Sequence, residues 1–162
     1  MQKELKERLL WTKGKRENEV NLMESSKTQR IDHVAIALEN IDAVEELYTK
    51  ALGLKVKHRE TVHDQGVRTS MLVPEKRGTS LELLEPIDNN SPIYKFLEKR
   101  GEGIHHVCFV VDNIDETLSR LKKEGIELID QVARDGAYGA RVAFIHPKAM
   151  HGVLVEIAEL SR

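Results

Sequence analysis

The chain is poor in cysteine and has no long apolar run, and each of these absences excludes a class of protein. Among its 162 residues there is one cysteine, Cys108. A single cysteine excludes an internal disulfide framework and a cysteine-rich zinc site, and it suits a reducing compartment, so we expect a cytoplasmic protein. No segment approaches the roughly 18 apolar residues of a spanning helix, and the charged N-terminus lacks an apolar signal segment. We therefore expect no membrane association.

An excess of charge of one sign is also missing. The 25 Lys and Arg residues nearly balance the 27 Asp and Glu residues, which leaves a net charge of −2, and both signs are interleaved along the chain. There is no basic stripe that could neutralise a run of phosphates, so we expect no nucleic-acid partner. A hydrophobic content of 40% indicates a globular chain, and its length suits one domain or two small modules that share a core.

An internal repeat is the most informative feature that the sequence does contain. Ile31-Asp32-His33-Val34 is echoed 73 residues later by Ile104-His105-His106-Val107. The Asn-Ile-Asp triplet that begins at Asn40 returns at the same spacing. Near the end of each half, a glutamate stands inside an apolar run, Glu82 in the first and Glu156 in the second. Several matches at nearly one spacing indicate two copies of the same structural module.

Each copy has the hydrophobic pattern of a βαβββ module. In the first module, residues 30–87, the pattern predicts strands at Ile31–Leu38, Leu54–Val62, Val67–Val73 and Thr79–Leu84, with a helix from the N-cap Asn40 to Gly53. In the second, residues 103–160, it predicts strands at Ile104–Val111, Ile126–Val132, Arg141–Ile145 and Val153–Ala158, with a helix at Asn113–Glu124. A connector, residues 88–102, carries a short helix, and residues 1–29 are expected to be a flexible leader or a short helix.

The repeat places two histidines and two glutamates at equivalent positions. His33 and His106 lie on the first strand of each module, and Glu82 and Glu156 lie on the last. If these strands pair within each module and the modules face each other, the four side chains converge on one point. Two imidazoles and two carboxylates suit a divalent ion such as Mn, Co, Ni, Fe or Zn, whereas Ca and Mg rarely recruit two imidazoles.

A structural interpretation of the same residues is also open at this point. A lone histidine in an apolar strand is more often a packed residue with a satisfied hydrogen bond than a ligand. Glu82 and Glu156 could lie on edge strands and point to water, since an unpaired buried carboxylate is costly. His105 competes with His106 as a ligand, but its counterpart in the first half is Asp32, so the repeat selects His106.

Several stretches of the chain resemble the vicinal oxygen chelate superfamily, and within it the methylmalonyl-CoA epimerases. The resemblance covers about residues 30 to 160 and is carried by Ile31 to Ala37, Ser91-Pro92-Ile93, Gly103 to Val107, Phe144 to Lys148 and Gly152 to Glu156. It implies an α+β fold in which two tandem βαβββ modules form a cupped mixed sheet around a divalent metal. It further implies His33, Glu82, His106 and Glu156 as metal ligands, a CoA thioester as substrate, and a homodimer.

The resemblance also implies a reaction, the interconversion of (2R)- and (2S)-methylmalonyl-CoA by metal-assisted proton transfer at C2 through an enolate. Glu156 and Glu82 are the symmetric candidates for the two acid/base groups. Some epimerases carry glutamine at the Glu82 position and a separate glutamate after a Gln-Gly-Val turn, where this chain has Thr69. The alternatives are a lactoylglutathione lyase of the glyoxalase I type and a non-catalytic binding protein of the same fold.

Overall fold

The computed structural model describes residues 26–161. Most of the predicted leader, residues 1–25, lies outside the described residues, but Thr28 and Gln29 already belong to the first strand. Across residues 26–161, no helix is both long enough and apolar enough to cross a membrane.

The first half of the fold contains four strands and one helix. They are β1 (Thr28–Ala37), α1 (Ile41–Leu52), β2 (Lys55–Val62), β3 (Val67–Val73) and β4 (Ser80–Pro86). The side chain of Asn40 accepts a hydrogen bond from the backbone N–H of Ala43 at 3.2 Å, which caps the start of α1. Gly53 ends the helix in the left-handed conformation, with φ 67°. The cap residues read from the sequence therefore set both ends of this helix.

The second half repeats the arrangement after a connecting helix. Its elements are α2 (Pro92–Arg100), β5 (Gly103–Val111), α3 (Ile114–Lys123), β6 (Arg134–Asp135), β7 (Arg141–Ile145) and β8 (Val155–Glu159). The side chain of Asn113 caps α3 by accepting from the backbone N–H of Glu116 at 3.1 Å, as Asn40 caps α1. Ser91 caps α2 and Pro92 occupies its first turn.

All eight strands form one mixed sheet in the order β2-β3-β4-β1-β5-β8-β7-β6. The first and last strands of each module pair in parallel, β1 with β4 and β5 with β8. The two modules join through the antiparallel pairing of β1 with β5 at the centre of the sheet. The predicted α+β fold of two tandem βαβββ modules in a mixed sheet is confirmed.

One predicted strand is wrong. Within the segment expected to be a strand, Ile126–Val132, there is a single bridge, from Leu128 to Ile145, and the short β6 follows only at Arg134. The backbone N–H groups of Ile129 and Asp130 both donate to the carbonyl of Phe144, and the Asp130 carboxylate accepts from the N–H of Phe144. These converging bonds bend the segment, so it cannot continue a regular ladder along β7.

Helices α1 and α3 pack on one face of the sheet, whereas α2 packs against one end of the other face, where its Ile93 contacts Ala35 and Leu84. Ile41 of α1 packs with Leu72 and Leu83, and Ile114 of α3 packs in a corresponding cluster with Ile157. Side chains alternate along a strand, so the residues next to these point to the opposite, inner face. The inner face is therefore where the histidines and glutamates of the repeat must lie.

Candidate metal centre

The strand register brings the four repeated polar residues to the middle of the inner face. Ala35 of β1 lies directly between Glu82 of β4 and His106 of β5. One step along the strands, Cys108 of β5 lies between His33 of β1 and Glu156 of β8. The small side chains of Ala35 and Cys108 leave space between the larger polar ones, so the four polar groups can meet above them.

Their terminal atoms meet closely. The Nε2 atoms of His33 and His106 are 3.4 Å apart. Glu156 Oε2 lies 3.3 Å from His33 Nε2 and 3.0 Å from His106 Nε2, and Glu82 Oε2 lies 3.4 Å and 3.9 Å from the same two atoms. The structure therefore brings together all four residues singled out by the repeat. Neither glutamate lies on an edge strand or points to water.

All four side chains are buried, with 4% to 8% of their surface exposed. Burial, reinforced by the charge of Glu156, raises the pKa of Glu82. Burial also disfavours the charged form of Glu156, but hydrogen bonds from His106 and His33 outweigh it and lower the pKa of Glu156. Two carboxylates held this close in a buried site need a positive charge beside them.

The preference for a positive charge in the cluster is also visible at His33. Burial opposes a positive charge on its imidazole, yet contacts with Asp32, Cys108 and Glu156 outweigh burial and raise the pKa of His33. The centre of the cluster therefore favours a cation at the Nε2 atoms. Four convergent nitrogen and oxygen donors with this electrostatic preference fit a divalent transition metal.

The ring of each histidine is held from behind by its neighbour in sequence. His33 Nδ1 lies 3.2 Å from the carboxylate of Asp32, and His106 Nδ1 lies 2.9 Å from His105 Nδ1. Donation from Nδ1–H leaves the lone pair of each Nε2 pointing into the cluster. Burial and the neighbouring His106 lower the pKa of His105 to about 4, which keeps His105 neutral and able to accept this bond.

The cluster lies in a cavity of about 1670 Å³ on the inner face of the sheet. Its walls come from both modules and include Met71, Leu84, Phe144 and Tyr138 besides the four clustered residues. A cavity of this size accepts a substrate much larger than the reacting carbon itself. The arrangement can bind a metal, hold a chelating substrate against it and move a proton with a carboxylate.

Sequence reasoning missed one residue of this cavity, Tyr138. Its hydroxyl is hydrogen-bonded to the hydroxyl of Thr69, which lies on β3 of the other module. Glycines flank it in the sequence, at Gly136 and Gly139, but they lack the spacing of a dinucleotide-binding loop. Their presence on both sides of an aromatic residue was the available signal, because such a segment can fold back over a site.

Comparison with known families agrees with this architecture. The sequence model of the Glyoxalase/Bleomycin resistance protein/Dioxygenase superfamily matches residues 32–144. That match spans well over half of the chain, and its fold is the one described above. The chain is a member of this superfamily.

Individual relatives narrow the assignment. An uncharacterised protein of Bacillus subtilis is 40% identical over 80% of this chain and 91% of its own length. The mitochondrial methylmalonyl-CoA epimerase of Dictyostelium discoideum is also 40% identical, over 80% of this chain and 78% of its own length. A solved methylmalonyl-CoA epimerase, in complex with methylmalonyl-CoA and an ammonium ion, superposes with a TM-score of 0.79 at 36% identity, covering 83% of this chain and 96% of that one. Within the superfamily, the chain belongs to the methylmalonyl-CoA epimerase family.

Proposed function

We propose that the chain is an epimerase that interconverts the (2R) and (2S) forms of methylmalonyl-CoA. The observation that carries the proposal is the buried cluster of His33, Glu82, His106 and Glu156 at the floor of a large cavity. The proposal is also supported by the similarity of the chain to proteins named as methylmalonyl-CoA epimerases, one of which was solved in complex with methylmalonyl-CoA.

The same four residues are proposed to hold the metal, with Co, Mn, Ni or Zn as the candidate ions. When bound, such an ion supplies Lewis-acid stabilisation to the negative oxygen that develops as the C2 proton leaves. This set of nitrogen and oxygen donors suits all four ions. The order of their affinities is set mainly by the metal, so the residues alone do not identify the ion. Asp32 and His105 keep the imidazoles oriented toward the centre.

The reaction itself needs a group that removes the C2 proton and one that returns a proton to the opposite face. That proton is acidic because it lies between a thioester and a carboxylate carbonyl. Glu156 is proposed as the first group, since its pKa is lowered and it is ionised at neutral pH. Glu82 is the symmetric candidate for the second group, on the wall formed by the first module.

Basic side chains at the cavity rim suit the phosphates of a CoA substrate. Lys76 and Arg77 are exposed and line the cavity mouth. Arg68 is less available, because its guanidinium is engaged by Asp42 and Glu85. A homodimer and a cytoplasmic location remain predictions of this proposal; the single, buried Cys108 fits a reducing compartment.

Deuterium uptake at C2 tests the proposal directly. The metal-loaded protein is incubated with methylmalonyl-CoA in deuterated water and followed by mass spectrometry, beside His106→Asn. The matched control is His151→Asn, since His151 is exposed, adopts a left-handed conformation that asparagine tolerates, and lies outside the cavity. We expect rapid exchange in the wild type and control and at least a 100-fold loss in His106→Asn.

The absence of deuterium uptake would contradict the proposal. A metal-loaded wild type that leaves C2 unlabelled would remove the epimerase proposal. The same protein would then be assayed on the hemithioacetal of methylglyoxal and glutathione, the substrate of a glyoxalase I type enzyme. Activity there would assign the cluster to that related proton transfer.

A further inference from the structure

Tyr138 adopts a conformation that a residue with a side chain rarely takes. Its backbone is left-handed, with φ 61° and ψ 23°, between Gly136 and Gly139. Such a conformation persists only when the surroundings hold it, and it is frequent at functional sites. Here the backbone N–H of Tyr138 donates to Glu60 Oε2 at 2.9 Å, and its ring packs edge-on against His58 with ring centroids 4.9 Å apart.

The contacts dock a loop of the second module onto the wall of the first. Gln65 adds to them by donating from Nε2 to the carbonyl of Asp135 at 3.2 Å. The result is that the phenol of Tyr138 reaches across the cavity to strand β3. There its hydroxyl meets that of Thr69, a residue with 2% of its surface exposed.

Thr69 places this hydroxyl pair beside the metal centre. On β3, Met71 lies opposite Glu82 of β4, and Thr69 lies opposite Leu84. Thr69 is thus the diagonal neighbour of Glu82 on the same face, about 7–8 Å away by ordinary strand geometry. Burial, with the charge of Glu82 next, raises the pKa of Tyr138. The phenol is therefore protonated at neutral pH and can donate.

Glu82 is less suited than this phenol to act as the second acid/base group. Like Glu156, it is one of the four convergent donors, with its Oε2 within 3.9 Å of both histidine Nε2 atoms. Pairing the two glutamates would require two of the four proposed metal ligands to carry a proton during the reaction, whereas the phenol requires this only of Glu156. The Tyr138 hydroxyl lies on the same wall as Glu82, with Thr69 as its hydrogen-bond partner and no place among the four convergent donors. Glu156 lies on the other wall, on β8. Two groups on opposite walls are what inversion at one carbon requires.

We propose that the Tyr138 hydroxyl is the second proton-transferring group, opposite Glu156, and that Thr69 is its positioning residue. The inference rests on the proposed epimerase function. Glu156 takes the C2 proton and becomes a carboxylic acid, while the C–H electron pair moves into the thioester enolate. The Tyr138 O–H then gives its proton to the opposite face of C2, and the phenolate left behind regains a proton from the acid of Glu156 through water in the cavity. The other epimer follows the same steps in reverse.

Pure epimers, assayed separately in deuterated water, test this assignment with Tyr138→Phe. The epimer whose C2 proton faces Glu156 should still exchange, within threefold of the wild type and with retained configuration. Inversion of both epimers, and exchange from the other epimer, should fall at least 100-fold. Tyr94→Phe, on helix α2 and outside the cavity lining, should match the wild type.

Thr69→Val provides the second variant. It removes the partner of the phenol without touching the phenol itself, so we expect the same asymmetry between epimers with a smaller loss of inversion, about tenfold. Metal affinity, measured on the same samples, should stay within twofold of the wild type in both variants and so reports an intact site.

Three results would contradict the assignment. Inversion within threefold of the wild type in Tyr138→Phe would remove Tyr138 from the reaction. Equal losses of C2 hydrogen exchange for both epimers would make Tyr138 a structural residue only. A wild type that neither exchanges nor inverts would overturn the proposed function itself, which distinguishes that failure from the first two.

Discussion

Asp32 and His105 occupy equivalent positions in the two modules, and each is hydrogen-bonded to Nδ1 of the histidine that follows it. The pairing of β1 with β5 shifts register at both residues, so each is an extra residue in its strand. Such a bulge lets two consecutive side chains approach the same site. The repeat therefore duplicates the support of the imidazoles as well as the imidazoles themselves, although the two supporting groups differ chemically.

Removing this support should weaken metal binding. We expect Asp32→Asn and His105→Ala each to lower metal affinity about 10- to 100-fold, because the imidazole loses the partner that fixes its orientation and tautomer. Competition with a chromogenic chelator measures the affinity. Asp42→Asn is the matched control, since Asp42 is 70% exposed and pairs with Arg68 away from the cluster. Equal affinity in Asp32→Asn and Asp42→Asn would contradict the role of Asp32.

A bound metal should stabilise the fold. At a free concentration about 1,000 times the dissociation constant, binding to the native state alone adds about 4 kcal/mol. For a chain of this length, that corresponds to a rise in Tm of about 8–16 °C, measured by calorimetry with and without a chelator. In His33→Ala the rise should be lost, while His151→Asn should keep it. An identical rise in His33→Ala would place the ion elsewhere.

Acid should weaken one ion pair on the outer face. Glu45 accepts hydrogen bonds from Arg59 and from Ser70, at 3.0 Å and 2.5 Å, and the Arg59 contact is the main cause that lowers the pKa of Glu45. A carboxylate with a lowered folded pKa adds stability above its unfolded pKa of about 4.3, and this stability is lost as the pH falls through the folded pKa.

Urea unfolding measures this contribution. Glu45→Gln should be less stable than the wild type between pH 6 and 8, and the gap should narrow steadily as the pH falls below about 4. Glu46→Gln is the control, because Glu46 is exposed and pairs with Lys50 on the helix surface. A gap for Glu45→Gln that stays constant down to pH 3 would show that the loss arises from packing and not from charge.

The core beneath helix α1 should be sensitive to truncation. Leu83 is fully buried against Ile41 and Leu72, so Leu83→Ala should cost about 2–5 kcal/mol of unfolding free energy. Leu47 lies on the same helix layer but is 63% exposed, and Leu47→Ala should change stability by no more than about 0.5 kcal/mol. Denaturant unfolding measures both changes. If the two variants lost equal unfolding free energy, Leu47 would be covered in solution, as in a dimer.

Much of the fold and the four clustered side chains could be predicted because they follow short-range rules. Alternation along strands placed His33 and Glu82 on one face, and the repeat located their counterparts. Tyr138 could not be found in this way. Its position depends on a left-handed turn and on a contact with a residue 69 positions away, and neither leaves a periodic pattern. The bent segment at Ile126–Val132 escaped prediction for a similar reason, since its bonds to Phe144 are tertiary.

The central pairing of β1 with β5 also determines what a bound ion would do to the sheet. Each module supplies one histidine and one glutamate, so a bound ion would join two segments that lie 73 residues apart in the chain. It would act as a removable cross-link across the seam between the modules. Removing the ion with a chelator would remove this cross-link. The hydrogen-exchange rates of the backbone amides of β1 and β5, with and without the chelator, would measure how far the ion holds the two halves of the sheet together.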